Sequence, residues 1–183
     1  ATKDQAASFT DQVNNSDELS VEFDRKIQTL FETFGEYLRE ERDNADLTVY
    51  GQQQRLTNGS RTSGNWADVE IVWDHIAPQL TDWSRALTKV HEDLEEIEDP
   101  DDEIAEISDL LGSHIRTLDE AIALIEEFIM KPKSDYVYWL EIAAIQNYLS
   151  LNAAPLQVAE MIRRNFWLEK ECVVLTSATL TTD

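Results

Sequence analysis

Two long stripes of apolar residues, separated by a short acidic segment, limit the fold of this chain more than any other feature. The first stripe alternates spacings of four and three residues: Val69, Trp73, Ile76, Leu80, Trp83, Leu87, Val90, Leu94 and Ile97. The second has near-heptad spacing: Ile104, Ile107, Leu111, Ile115, Leu118, Ile122, Ile125 and Ile129. Because such spacings place side chains on one face of an α-helix, each stripe predicts a long helix. A tight connection between two such helices predicts an antiparallel helical hairpin.

The residues that interrupt these stripes support the same prediction. Pro78 lies inside the first stripe, and we expect it to kink the helix rather than end it, because the stripe continues in phase on both sides. The segment Asp99–Asp102 ends the first helix and caps the second. Lys131 and Lys133 flank Pro132 at the end of the hairpin, where basic residues suit a helix C-terminus.

A third helix is predicted before the hairpin. Ser16 or Asp17 can cap its first turn, and we expect it to run to about Asn44. Its apolar stripe consists of Leu19, Phe23, Ile27, Leu30, Phe34 and Tyr37. Residues 1–16 are polar, and no structure is predicted for them.

The segment between this helix and the hairpin is rich in Gly, Gln, Asn, Ser and Thr. Within it, Thr48–Tyr50 and Arg55–Thr57 are candidate short strands. Asn58-Gly59 is a dipeptide typical of tight turns, so a small β-hairpin is predicted here.

The pattern changes after Pro132. Tyr136–Ala143 and Asn147–Asn152 are predicted strands, Pro155–Asn165 is a predicted helix, and Cys172–Thr176 is a third strand. The predicted fold class is therefore mainly α (α+β). It combines a long antiparallel helical hairpin or bundle with a small C-terminal α/β portion of about three strands. Since an apolar strand is normally covered on both faces, we expect further partners of the third strand outside this chain.

Composition narrows the class of protein. A hydrophobic content of 42% with five Trp argues against disorder, despite a net charge of −22. The single cysteine, Cys172, excludes an internal disulfide and any metal or iron–sulfur site built from several thiolates of this chain. No apolar run approaches the roughly 20 residues of a membrane helix, so no membrane association is expected. The expected location is the cytoplasm.

The acidic residues are concentrated between the two stripes. Of the fifteen residues from Glu92 to Glu106, ten are acidic and none is basic. Crowded like charges are stable only when solvated or paired, so this tip of the hairpin is predicted to be exposed. It would repel DNA phosphates, because DNA affinity comes largely from Lys and Arg. It suits a docking surface for a protein partner, and the overall acidity also suits a protein from a salty environment.

Three segments near the end of the chain carry a family resemblance. Leu175–Leu180 is a hydrophobic residue followed by Thr-Ser-Ala-Thr-Leu, and it is preceded by Tyr138–Glu141 and Leu151–Ala159. In order and spacing, these resemble the third conserved motif and the segments before it in the DinG/XPD-type superfamily 2 DNA helicases. The resemblance covers residues 136–183, about a quarter of the chain, and the first 130 residues match no motif.

The resemblance implies a domain division and a function. Residues 1–132 would be the helical arch insertion, and residues 133–183 the C-terminal part of motor domain 1. Relatives are ATP-dependent enzymes that translocate 5′ to 3′ on single-stranded DNA, which passes the arch, in DNA repair and recombination. In relatives the Ser and Thr of the third motif couple ATP hydrolysis to DNA movement. That role is carried over to Thr176, Ser177 and Thr179, with Ala178 small for close packing.

The resemblance also implies that the motor is incomplete here. No Gly-Lys pair of a phosphate-binding loop and no Asp-Glu-x-His occurs in the chain. The segment is therefore expected to lack catalytic residues and to bind neither ATP nor Mg²⁺, which the full-length protein would bind through upstream motifs. Some relatives carry an iron–sulfur cluster and others lack it, so a cluster elsewhere in the full-length protein is left open.

Few residues suit contact with DNA or metal. Arg55 and Arg61 flank the Asn-Gly-Ser segment, and Arg163 and Arg164 form a second basic pair; these four are the candidate DNA contacts. No metal site is predicted, because the three histidines lack ligand spacing, and Trp66, Trp73 and Trp83 at helical spacing favour core packing over base stacking. The rival interpretation is an acidic helical-hairpin protein–protein interaction module, in which the C-terminal strands only brace the bundle.

Overall fold

The computed structural model describes residues 3–40, 46–48, 51–97, 99–143, 148–163 and 167. Its helices are α1 (Lys3–Glu40), α2 (Asn58–Arg61), α3 (Gly64–Glu95), α4 (Asp102–Ile129) and α5 (Val158–Ile162). Its strands are β1 (Asp46–Thr48), β2 (Gly51–Leu56), β3 (Tyr136–Ala143) and β4 (Leu149–Pro155). The predicted fold class, mainly α with a small C-terminal portion that contains strands, is confirmed.

The long helical hairpin is also confirmed. Hydrogen bonds between its helices join Trp73 to Glu126, Ser84 to Asp119 and His91 to Ser108, so residue numbers rise along one helix as they fall along the other. Pro78 lies inside α3 without ending it, as predicted. Most of the first stripe is buried or half-buried. The residues whose spacing predicted helix α3 therefore form its buried face.

The cap of the second helix is the predicted one. Asp101 has an extended backbone, and its Oδ1 accepts a hydrogen bond of 2.9 Å from the backbone N–H of Ile104. Asp102 and Glu103 follow in the first turn, where negative charge stabilises the helix dipole. The acidic connection thus also starts the helix that follows it.

Replacing Asp101 by alanine is expected to lower the free energy of unfolding by about 1 kcal/mol, because the Ile104 N–H loses its acceptor. Urea denaturation followed by circular dichroism measures this. Asp109→Ala, which removes an exposed carboxylate further along α4, should change stability by less than about 0.5 kcal/mol. Equal losses in the two variants would contradict a capping role.

Two predictions about the first 61 residues are wrong. Helix α1 begins at Lys3, so Ser16 and Asp17 lie inside it rather than at its cap. Lysine, glutamine and alanine upstream favour helix, and a cap residue ends a helix only where the chain before it leaves the helical conformation. The predicted end near Asn44 lies outside the described residues.

Asn58-Gly59 is the second wrong prediction, because these residues begin helix α2 instead of closing a β-hairpin. Thr57 Oγ1 accepts from the N–H of Ser60 at 3.2 Å, and Ser60 Oγ accepts from the N–H of Thr57 at 3.3 Å. This capping box satisfies the first donors of a helix and decides the local conformation. The antiparallel pairing that does form here joins β1 to β2, with Thr48 opposite Gly51.

The four strands form one antiparallel sheet in the order β1-β2-β3-β4. Strand β3 has the predicted bounds. Strand β4 runs further than predicted, to Pro155, which pairs with Tyr136. Pro155 can occupy this place because β4 is the last strand of the described sheet, where a missing N–H is tolerated. Helix α5 accordingly starts at Val158 rather than Pro155, and the predicted strand Cys172–Thr176 lies outside the described residues.

The hairpin is inserted between two neighbouring strands. Strand β2 pairs with β3 in a register that places Leu56 opposite Tyr138. The chain therefore leaves the sheet at Leu56, forms α2, α3 and α4, and returns beside its point of departure. The predicted domain boundary falls between residues 132 and 133. Strands β1 and β2 precede it and β3 and β4 follow it, although all four belong to one sheet. The division into two domains stays a prediction.

The core lies where the helices meet the sheet. Its fully buried members include Leu30, Phe34 and Leu38 of α1, Trp66 and Trp73 of α3, Ile129 of α4 and Leu140 of β3. Towards the acidic connection burial falls, and Ile97 and Ile107 are 39% and 49% exposed. The base of the hairpin is therefore the anchored end, and the acidic connection is its exposed tip, as predicted.

Candidate functional site

The residues predicted to act on DNA fall in different surroundings. Arg55 is exposed on β2, Arg61 is half-buried in the last turn of α2, and Arg163 is exposed after α5. Arg164 and the coupling residues Thr176, Ser177, Ala178 and Thr179 lie outside the described residues. Of the three candidate DNA contacts that the structure describes, Arg61 is the one that is half-buried.

Arg61, in the last turn of α2, reaches the end of α4. Its Nη1 donates to the backbone oxygen of Phe128 at 2.7 Å and to that of Ile129 at 3.1 Å. The last carbonyls of a helix have no partner within the helix, and a cation there also stabilises the helix dipole. Arg61 thus links the first short helix of the insertion to the end of the last one.

The same guanidinium is surrounded by aromatic rings. Its central carbon lies 5.0 Å from the ring centre of Trp66, 5.4 Å from that of Tyr138 and 5.8 Å from that of Phe128. Such contacts are attractive because the ring faces are negative. Burial lowers the pKa of Arg61 from its ordinary value. The guanidinium is engaged within the fold, and its contact with DNA stays a prediction.

A polar network at the same level joins α4 to β3. The Tyr138 hydroxyl donates to Glu127 Oε1 at 2.8 Å and accepts from the backbone N–H of Lys133 at 3.0 Å. The ammonium of Lys133 lies 2.7 Å from Glu127 Oε2. The hydrogen bond from Lys133, and then that from Tyr138, holds the pKa of Glu127 below its usual range. Two hydrogen bonds and one ion pair therefore stabilise the connection between α4 and β3.

The neighbouring carboxylate joins α4 to α3. Glu126 Oε2 accepts a 2.6 Å hydrogen bond from the indole N–H of Trp73, and its Oε1 lies 2.8 Å from the ammonium of Lys131. Hydrogen bonding from Lys131, and then from Trp73, lowers the pKa of Glu126. Sequence reasoning missed both glutamates, because adjacent carboxylates near a helix end resemble solvated charges.

The lowered pKa of Glu127 predicts a pH dependence. A carboxylate with a folded pKa below its unfolded value stabilises the fold above the unfolded pKa, and this contribution disappears as the pH falls through the folded pKa. Glu127→Gln should therefore cost about 0.5–1 kcal/mol near pH 7. Its difference from wild type should shrink as the pH falls below the ordinary carboxyl range.

Urea denaturation at pH 7 and pH 3 measures this difference. Glutamine keeps an oxygen that accepts from Tyr138, so the comparison isolates the charge. Glu120→Gln serves as the matched control, since Glu120 is exposed on the same helix. A cost for Glu127→Gln that is the same at both pH values would rule out the ionic contribution.

Close to the tip of the hairpin, His91 of α3 packs closely against α4. His91 Nδ1 lies 3.1 Å from Ser108 Oγ, and its Nε2 lies 3.8 Å from Glu95 Oε1. A Cβ on Gly112 would lie 2.9 Å from His91 Nε2, so the missing side chain of Gly112 makes room for the imidazole. Among the described residues there is no group of three or more His, Cys, Asp or Glu that could hold a metal ion.

One shallow cleft lies between α1 and α3. Its volume is about 280 Å³, and Lys26, Val72 and His75 are among the residues that line it. Small-molecule sites usually enclose roughly 300–1,000 Å³. Lys26 is paired with Glu22 at 2.8 Å. The cleft is thus at the small end of the range of ligand sites.

Comparisons with protein-family models, with curated proteins and with solved structures find no match to this chain. Within the described residues, no helix is both long and apolar enough to cross a membrane. Function is therefore inferred from the residues and their geometry.

Proposed function

We propose that the chain is a segment of an ATP-dependent DNA helicase of the DinG/XPD type, which acts 5′ to 3′ in DNA repair or recombination. The segment comprises the arch insertion and the returning part of the first motor domain. Its role is to guide single-stranded DNA, while the full-length protein binds ATP and Mg²⁺ elsewhere. The proposal starts from the Thr176–Leu180 motif and the two segments that precede it.

The observation that best supports the proposal is the attachment of the hairpin. Leu56 and Tyr138 are opposite each other on neighbouring strands, and helices α3 and α4 occupy the chain between them. Strand β2 belongs to the residues assigned to the arch and β3 to those assigned to the motor domain, so this pairing joins the two parts within one sheet. Arg61 and Tyr138 hold the base of the hairpin, which suits a guide that keeps its direction while DNA moves past it.

The outer face of the sheet offers a surface for single-stranded DNA. Arg55, Trp139 and Asn152 lie opposite one another on β2, β3 and β4. Their neighbours Leu56, Tyr138 and Leu140 are buried, so this row occupies the other face, away from the core. A cation contacts phosphate and an aromatic ring stacks on a base, which together bind single strands without sequence preference.

DNA-stimulated ATP hydrolysis and 5′-to-3′ unwinding by the complete gene product test the helicase proposal. Both activities are expected, whereas the 183-residue chain alone should hydrolyse no ATP. Ser177→Ala and Thr179→Ala should reduce unwinding at least tenfold while leaving more of the ATP hydrolysis. A complete gene product that neither hydrolyses ATP nor moves on DNA would sink the proposal.

The DNA surface has its own test. Arg55→Ala in the complete gene product should weaken binding of a thymidine oligonucleotide several-fold and reduce the salt dependence of the binding constant by about one charge. Arg85→Ala is the matched control, because Arg85 is an exposed arginine on α3 paired with Asp82. Equal effects of the two variants would remove the outer face of the sheet from DNA binding.

A second function is favoured by the charge of the hairpin tip. An acidic helical-hairpin interaction module would use the carboxylates in the sequence 92–106, which lies on both sides of the exposed Ile97. The coding sequence on either side of the segment distinguishes the two functions. A phosphate-binding loop upstream and an arginine-containing helicase motif downstream would support the helicase.

A further inference from the structure

Helix α4 carries a second stripe, separate from the side chains that pack on α3. Its members recur at alternating spacings of three and four residues: Ile107, Leu110, His114, Thr117, Ala121 and Leu124. We call this surface the α4 seam. All six residues are exposed, and the exposed fractions of Ile107, Leu110 and Leu124 are 49%, 57% and 65%. The sequence assigned Ile107 to the inner stripe, which the structure corrects.

The α4 seam has the geometry of a helix-docking face. Heptad spacing keeps side chains in line over roughly 26 Å at 1.5 Å per residue. No member of the seam carries a carboxylate, and the next residue in the same spacing, Phe128, is buried in the core. From the core towards the tip, the seam presents Leu124 and Ala121, then the polar Thr117 and His114, and then Leu110 and Ile107. Exposed apolar side chains grouped on one face of a helix are a feature of interaction sites.

The charges beside the seam select the kind of partner. Glu106 and Glu120 each precede a seam residue by one position, and Glu103 lies one turn before Ile107; all three are exposed. Helix α4 as a whole has eight carboxylates and one arginine. A second copy of the chain would bring like charges together, which opposes association. Lys or Arg at the flanking positions of a partner helix would instead pair with these glutamates.

We propose that the α4 seam docks an amphipathic helix of a protein partner, with an apolar stripe of heptad spacing and basic flanks. This surface is separate from the sheet face assigned to DNA. The inference does not depend on the helicase proposal, because it uses only the exposure, spacing and charge of α4.

Binding of three labelled helical peptides to the full chain, measured by fluorescence anisotropy, tests the inference. The first peptide has Leu and Ile at heptad spacing with Lys on both flanks. The second has the same composition in scrambled order, and the third keeps the stripe but carries Glu on the flanks. The first should bind at least tenfold tighter than either of the others. Equal binding of the scrambled peptide would show attraction by charge alone and overturn the inference, as would failure of the first peptide to bind.

Variants locate the binding to the seam. Leu110→Glu combined with Leu124→Glu should weaken binding of the first peptide at least tenfold, with the helical circular dichroism unchanged. Ile71→Glu is the matched control, because Ile71 is 54% exposed on α3 outside the seam, and it should leave binding within twofold. Unchanged binding by the double variant would overturn the inference. So would a doubled mass in light scattering that the double variant abolishes, since it would assign the seam to a second copy.

Discussion

Arg61→Ala is expected to lower the free energy of unfolding by about 3–4 kcal/mol, the larger part from two charge-assisted hydrogen bonds and the remainder from the aromatic contacts. The backbone oxygens of Phe128 and Ile129 lose their donor at the end of α4. The rings of Trp66, Phe128 and Tyr138 lose the planar group between them. Because these contacts join α2, α3, α4 and β3, the loss falls on the whole base of the hairpin.

Arg55→Ala is the matched control for Arg61, and it should change stability by less than about 0.5 kcal/mol because Arg55 is exposed. Arg61→Lys should be intermediate, since an ammonium keeps the charge but lacks the planar fork that reaches both carbonyls. Urea denaturation followed by circular dichroism gives the comparison. If Arg61→Met were as stable as wild type, the side chain would contribute through its apolar bulk, and the charged contacts would not be stabilising.

Trp66→Ala is expected to cost about 3–5 kcal/mol, because it leaves a large cavity in a fully buried position. The indole lies edge-on to Tyr37, with ring centres 5.3 Å apart, and 6.1 Å from the ring centre of Phe34. Both of those rings belong to α1, so the substitution should loosen the packing of α1 on α3. It also removes one ring from the surroundings of Arg61.

The measurement is again urea denaturation, with near-ultraviolet circular dichroism to report on aromatic packing. Ile71→Ala on the same helix is the control, and it should cost less than about 0.5 kcal/mol since Ile71 is 54% exposed. Combining Trp66→Ala with Arg61→Ala should cost less than the two separate losses together, by about 1 kcal/mol, because the side chains are in contact. Strict additivity would show that the indole and the guanidinium act independently.

The helical hairpin was predictable because its information is local and repeated. Nine apolar residues from Val69 to Ile97 keep one phase, so a single misplaced residue does not change the prediction. The cap at Asp101 is also a local signal. The bounds of β3 followed from an apolar, aromatic run between Pro132 and a polar segment.

The junction between hairpin and sheet was not predictable from local signals. Arg61 contacts Phe128, which is 67 positions away in the chain, and a pattern of neighbouring residues cannot predict such a contact. Asn58-Gly59 favours a turn in isolation, but the side chains of Thr57 and Ser60 stabilise a helix there. Ile107 fits both stripes of α4 by spacing, and only the packed structure shows which face of the helix it occupies.

The candidate site residues differ in what the structure adds to the sequence-based prediction. Thr176, Ser177, Ala178 and Thr179 were assigned by resemblance, and their role stays a prediction because they lie outside the described residues. Arg55 is a candidate DNA contact because it flanks the Asn-Gly-Ser segment, and the structure adds that Trp139 lies opposite it in the sheet. That neighbour could not have been found from spacing along the chain.

The pairing of Leu56 with Tyr138 also bears on the order in which the molecule becomes ordered. Joining two points of a flexible chain roughly eighty residues apart costs about 4 kcal/mol of loop-closure entropy, on the scaling of (3/2)RT ln n. When α3 and α4 have already paired, the two ends of that loop lie near each other and most of this cost has been met. Pairing of β2 with β3 is therefore expected to follow formation of the hairpin, and a substitution that weakens the packing of α3 on α4 should also weaken the hydrogen bonds between these two strands.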